Sequence, residues 1–185
     1  FNVEKLYPFV EQGIPIVGCE PSCILTFRDE YHDLLNDPRV QAVAQNTFLI
    51  EEFILKLQED GHLNLAFRAA EKQFLLHGHC HAKALVGITP TEKFLQMIPQ
   101  AKVEVVDSGC CGMAGAFGFE KEHYQISLAM GRRRLFGAVG SKDDRWAIVA
   151  PGVSCRQQIE HGTGRRAKHP VEVVVEHLVK SQIPT

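Results

Sequence analysis

The chain has 185 residues, of which 45% are hydrophobic, and a net charge of −2, enough to bury the core of one domain or of two small fused ones. Charges of both signs are interspersed, which excludes a nucleic-acid groove or a polybasic membrane patch. No apolar run approaches the ~20 residues of a membrane span and no secretory signal is visible, so a cytoplasmic protein is predicted. Six cysteines in a chain this long do not form a small secreted disulfide framework, and in a reducing compartment their clustering favours metal or redox use. The first residue is Phe1, not Met, and a piece of a longer polypeptide is the expectation.

In chain order, IPIVG at 14–18 predicts a short strand that runs into Cys19, Pro21 and Cys23 and then into a helix, ILTFRDEYHDLL. Cys23 is thereby placed at a helix N-terminus, where the dipole stabilises a thiolate. Asp37 and Pro38 predict an N-cap and first-turn proline for a second helix reaching Gly61, with Val40, Val43, Ala44, Phe48, Ile54 and Leu57 on its apolar face. A strand over 73–76 ends at HGHCH, that is His77, His79, Cys80 and His81. Zinc ligands at such short spacing would crowd one ion, so most of these histidines are expected to have other roles. Thr89, Pro90 and Glu92 predict a capping box, and Pro99 stops that helix.

The stretch 103–119, VEVVDSGCCGMAGAFGF, predicts a strand that breaks into a glycine-rich loop carrying Cys110 and Cys111. Adjacent side chains on an extended strand point to opposite faces, so these two thiols serve one centre only where the chain bends, and Gly109, Gly112, Gly115 and Gly118 permit the bend. Tyr124, Leu128, Gly131 and Leu135 recur at helical spacing, with Arg132, Arg133 and Arg134 near the C-terminus of that helix. These basic residues, like those at 165–168, read as solvated faces. A strand at 146–150 leads through Pro151 and Gly152 to Cys155 and a helix, RQQIEHG; the segment 171–178 closes the chain as helix or strand.

Strands alternating with helices predict an α/β fold with a mostly parallel sheet and helices on both faces. In such a sheet the carboxyl ends of the strands share one edge, and every strand placed above ends in cysteine: Cys19 and Cys23, Cys80, Cys110 and Cys111, Cys155. IVGCEPSC at 16–23 also repeats as IVAPGVSC at 148–155, which suggests a duplicated module whose first copy lacks its upstream half. Three functions remain open on these residues alone. The cysteines could hold an iron–sulfur cluster, they could hold zinc as a structural pin, or Cys111 or Cys155 could act as a nucleophile with His77 or His81 as base.

HGHCH, GCCGMAGAFGF, the turn to Cys155 with RQQIEHGTG, and KHPVEVVVEHL together resemble the CCG cysteine-rich domain. That domain occurs in the cysteine-rich subunit of heterodisulfide reductase, in the iron–sulfur subunits of glycolate oxidase and anaerobic glycerol-3-phosphate dehydrogenase, and in lactate-utilisation proteins. GCEPSCILTFRDEY is similar to the end of a preceding CCG copy, as in large FAD-linked oxidases fused to an iron–sulfur region. The resemblance implies a Rossmann-like CCG module over 61–185, preceded over 1–60 by the end of a truncated copy with connecting helices. It implies Cys80, Cys110, Cys111 and Cys155 as cluster ligands, Cys23 as the last cysteine of the upstream copy, and Gly112 and Gly115 beside the cofactor. The implied function is electron transfer through an iron–sulfur cluster, of 4Fe-4S type. Electrons would pass from an FAD-linked 2-hydroxyacid oxidase domain or subunit to a quinone or other acceptor, in the cytoplasm or peripherally on the inner membrane. The family's Cys-x-x-Cys would place a cysteine where this chain has Gly152. Four thiolates still complete an ordinary 4Fe-4S cluster, and the five-cysteine cluster of the disulfide-reducing members is not implied.

Overall fold

In the computed structural model, which describes residues 1–179, the aliphatic runs of the C-terminal part form a four-stranded parallel sheet ordered β4-β3-β5-β6. Its strands are β3 (Gln73–Leu76), β4 (Val103–Val105), β5 (Trp146–Val149) and β6 (Ala167–Lys168). Alternation along the strands sends neighbouring side chains to opposite faces. Leu75 and Ile148 pack with Val106, Leu135, Val139 and Ile159 on one side. Phe74, Leu76 and Val149 pack with Phe94, Leu95, Ile98, Val173 and Val174 on the other. The first face is covered by α9 (Leu135–Gly140) and α10 (Val153–Thr163), the second by α7 (Thr89–Gln96) and α11 (Pro170–His177). The expected α/β fold with parallel strands and helices on both faces is what the chain adopts; the segment expected as helix or strand is the helix α11 up to His177, and Leu178 bridges to Phe67. Among the described residues no helix is long and apolar enough to cross a membrane.

The N-terminal part carries α1 (Asn2–Glu11) and a second parallel sheet of two strands, β1 (Ile16–Gly18) and β2 (Thr47–Leu49). The strand β2 corrects the single helix expected from Asp37 to Gly61, which is split into α4 (Arg39–Gln45) and α5 (Ile50–Glu59). Asn46 and Thr47 turn their side chains back onto the carbonyls of Ala42 and Val43, ending α4, and pairing with β1 then outweighs helix propensity over three residues. The helix expected over 24–35 is likewise broken. A helical turn, α2 (Pro21–Ile24), tightens at Leu25–Phe27 and restarts beyond Asp29 as α3 (Glu30–Leu34). Thr89 lies inside α7 rather than capping it, and Arg134 separates α8 (Tyr124–Arg133) from α9. Arg165 is no solvated residue: its guanidinium donates to the carbonyls of Lys142 and Trp146 at 2.6 and 2.8 Å and fixes the entry to β5.

The internal repeat extends well beyond eight residues. Ile16 pairs with Thr47 as Ile148 pairs with Ala167, so the two alignments bring Leu49 onto His169 and Glu52 onto Glu172. Both glutamates then do the same thing: Glu52 accepts from the Leu49 N–H at 3.0 Å and Glu172 from the His169 N–H at 2.7 Å, each at the start of the helix after the second strand. The unit β1-α2-β2-α5 therefore repeats β5-α10-β6-α11. It packs on the remainder through α2 against α6 (Cys80–Leu85) and α5 against α7. It is also joined by two polar contacts: Glu20 Oε2 accepts from the Val153 N–H at 2.7 Å, and His169 Nε2 donates to the Cys19 carbonyl at 2.9 Å.

Glu51, in the first turn of α5, is 1% exposed, and its Oε2 has no hydrogen-bond partner among the described residues. Burial, reinforced by the neighbouring Glu52 charge, pushes its carboxyl from 4.5 up to about 7. The folded state therefore holds a proton that the unfolded chain releases near pH 4.5, and stability from this group is lost as pH rises from there through about 7. A shift of this size corresponds to ~3 kcal/mol. Glu51→Gln is expected to flatten that slope, gaining most over the parent at pH 8 and little at pH 4.5. Urea denaturation across that range checks it, and parallel curves for the two proteins would contradict it.

Candidate metal centre

Because β3, β4 and β5 are parallel and adjacent, the segments that follow them leave the sheet at one edge. The first gives His77, His79 and Cys80, which opens α6; the second gives Ser108, Cys110 and Cys111; the third gives Gly152 and Cys155 in the first turn of α10. They enclose a cavity of about 190 Å³ lined by Cys80, Cys110, Cys111 and Cys155, with His79, His81 and Gly115 on its wall. The first unit contributes Ser22 to the same wall.

The thiols influence one another in series, Cys80 with Cys110, Cys110 with Cys111 and Cys111 with Cys155, the last two sulfurs lying within 4.8 Å of each other. Donation from Cys111 and Cys80, together with the N–H groups of Gly112 and Ala114, pushes the Cys110 thiol far down; the Gly112 nitrogen lies 3.3 Å from its sulfur. Cys155 is pushed down to about 5, first by Cys111 and then by His77. Cys80 and Cys111, as the donors beside these thiolates and partly desolvated, are pushed up. The backbone around Cys110 explains its share. Gly112, Ala114 and Gly115 all have positive φ, which turns successive N–H groups inward as an anion-binding nest.

Gly115 (φ +66) lines the cavity with open space where a Cβ would stand, whereas Gly112 (φ +106) does not line it. Gly112 is pressed against the Ser127 carbonyl, and Gln158 Nε2 clamps this crossing by donating to the carbonyls of Cys111 and Ser127 at 3.1 Å each. Cys23 and Cys19 are exposed and do not line the cavity; Ser22 does so in place of its neighbour. At Gly152, a Cβ would lie 2.5 Å from Cδ2 of His79 and 3.3 Å from the Cys155 sulfur, so the His79 ring fills the space a side chain there would use. The role of Gln158 had no signal in the sequence, since nothing local marks it; Ser108 could have been suspected from its place beside the double cysteine.

The donor set is soft and sulfur-rich, which suits iron–sulfur clusters or zinc and not magnesium or calcium. Cys111 and Cys155 are 3% and 1% exposed, an approach too restricted for a nucleophile that must meet a substrate.

Comparison with known proteins finds no family model that matches the chain, and no solved structure matches it either. Curated relatives cover nearly all of it. One subunit of the anaerobic glycerol-3-phosphate dehydrogenase from Escherichia coli K12 is 29% identical over 178 residues, 96% of this chain and 44% of that one. D-2-hydroxyglutarate dehydrogenase from Pantoea ananatis is 30% identical over 165 residues, 89% of this chain and 16% of that one. Lactate utilization protein A of an Exiguobacterium species is 28% identical over 170 residues, 86% and 64% respectively. The chain thus spans less than half of the first relative and a small part of the second.

Proposed function

We propose that the chain is an iron–sulfur electron-transfer module of the CCG type, working with an FAD-linked dehydrogenase of a 2-hydroxy acid or a similar substrate and delivering electrons to a quinone or another acceptor. The observation that carries this reading is the convergence of four cysteines, from the ends of three adjacent parallel strands, on one cavity. The relatives named as dehydrogenases, and the lactate-utilisation relative, support a redox setting. Residues 61–185 would form the module, and 1–60 the end of a preceding copy, a division favoured by the matching strand registers and glutamate caps; the bound at 185 lies outside the described residues.

Cys80, Cys110, Cys111 and Cys155 would hold a 4Fe-4S cluster, whose chemistry is to accept and release one electron at a time. The chain's own contribution begins with the Cys110 and Cys155 thiols, whose neighbours lower their pKa and so favour the thiolate a metal binds. The nest of N–H groups at Gly112 and Ala114 offsets charge on the Cys110 sulfur. His79 fills the volume beside Gly152, which keeps the set at four cysteines. Anaerobic reconstitution with iron and sulfide is expected to give a brown protein with about four of each per chain. A colourless protein holding zinc would replace this reading with a structural pin, and a protein binding neither would refute both.

A further inference from the structure

Resting on the cluster reading, we propose that His77 is a positioning residue that donates its Nε2–H to the Cys155 sulfur and thereby raises the reduction potential of the centre.

His77 follows β3 directly, and its backbone stays in the sheet through its N–H to the Val149 carbonyl at 2.9 Å. The side chain is 1% exposed. One ring nitrogen lies within 4.8 Å of the sulfurs of Cys111 and Cys155, which are within the same distance of each other. Nδ1 is engaged by Ser108 Oγ at 2.9 Å, so Nε2 is the nitrogen left over, and it has no hydrogen-bond partner among the described residues. His77 is absent from the cavity wall, whereas His79 and His81 stand on it. The imidazole therefore approaches the sulfurs from outside the cavity, placed to donate to a ligand rather than to compete for the metal.

The proton is placed by what metal binding does to the site. Cysteines bind metals as thiolates, so any S–H protons leave when the centre is loaded. A bare Nε2 lone pair would then face a buried, negatively charged sulfur. An Nε2–H facing it makes a charge-assisted bond instead. Ser108 allows this, because its hydroxyl can donate to Nδ1. The serine is itself held, its N–H donating to the Val106 carbonyl at 2.8 Å and its own carbonyl accepting from Lys83 Nζ. The series Lys83, Ser108, His77, Cys155 thus ties α6, the double-cysteine loop, β3 and α10 to one sulfur. A hydrogen bond to a cluster sulfur favours the reduced, more negative state, which raises the potential.

The test is potentiometry and resonance Raman spectroscopy on the anaerobically reconstituted chain, with iron and sulfide measured on each sample. His77→Phe keeps a ring and removes the donor. It is expected to retain iron, to shift the midpoint to more negative potential, and to lose the D₂O sensitivity of iron–cysteine stretching bands seen in the parent. His77→Gln, which restores an N–H donor, is expected to recover part of the shift. Should His77→Phe fail to fold or to load, Ser108→Ala replaces it: the imidazole stays but its tautomer is released, and a smaller shift of the same sign is expected. Full iron with unmoved potential and unmoved D₂O response in the variant that loads overturns this inference alone. A parent protein that takes up no iron, or only zinc, overturns the cluster reading and this inference with it.

Discussion

Serine in place of Cys80, Cys110, Cys111 or Cys155 is expected to lower bound iron by at least roughly tenfold, since even partners that only orient a metal's ligands commonly cost that much in affinity. Serine at Cys19 or Cys23 should leave iron unchanged. Oxygen and sulfur differ little in size, so each variant tests the chemistry of the ligand more than the packing of the site. The four positions reach one cavity from three strand ends, whereas Cys19 and Cys23 are exposed and off its wall. Iron and sulfide analysis of the six anaerobically reconstituted proteins is the measurement. Equal iron across the set would remove the assignment, and loss at Cys23 equal to that at Cys155 would extend the centre to a fifth cysteine.

Alanine at Gly112 should cost ~4 kcal/mol or more, the exceptional class of single substitutions. Two penalties coincide there. The backbone sits at φ +106, outside the region an L-residue readily enters, and the new Cβ would stand 2.3 Å from the Ser127 carbonyl oxygen, an atom held by the Gln158 clamp. Against a total stability of about 5–15 kcal/mol, much of the fold is forfeited. Gly115→Ala meets nothing within 4 Å and carries only the left-handed backbone cost, about 1–2 kcal/mol. Thermal or urea unfolding of the two variants checks the contrast. Similar losses would show that the crossing at Gly112 relaxes easily and that the clamp is soft.

Strands β3, β4 and β5 were legible because each is a compact run rich in aliphatic residues, and their three parallel ends then brought Cys80, Cys110 and Cys111, and Cys155 to one edge. The two-residue β6 and three-residue β2 were not legible. Strands this short have no periodicity of their own and exist because a neighbour pairs with them. The same limit applies at the site. HGHCH announced histidines near the cysteines, yet only the path of β3 decides that His77 stands behind the sulfurs while His79 fills the space beside Gly152. Gln158 and Ser22 reach the centre from helices whose local sequence concerns packing, so nothing short of the tertiary arrangement reveals them.

The contacts between the two repeats have a thermodynamic consequence. Glu20 holds the Val153 N–H at the start of the helix that carries Cys155, and Ser22, two residues on, lines the cavity. Whatever fills that cavity is thus bound by a wall that belongs partly to the first repeat. Coupling of this kind is reciprocal: if docking of the first repeat tightens metal binding by some factor, metal binding tightens docking by the same factor. The packing and the two polar contacts already join the first repeat to the rest, and filling the centre would strengthen that association by the factor with which docking strengthens metal binding, so bound metal would report the association of the halves as well as serve chemistry.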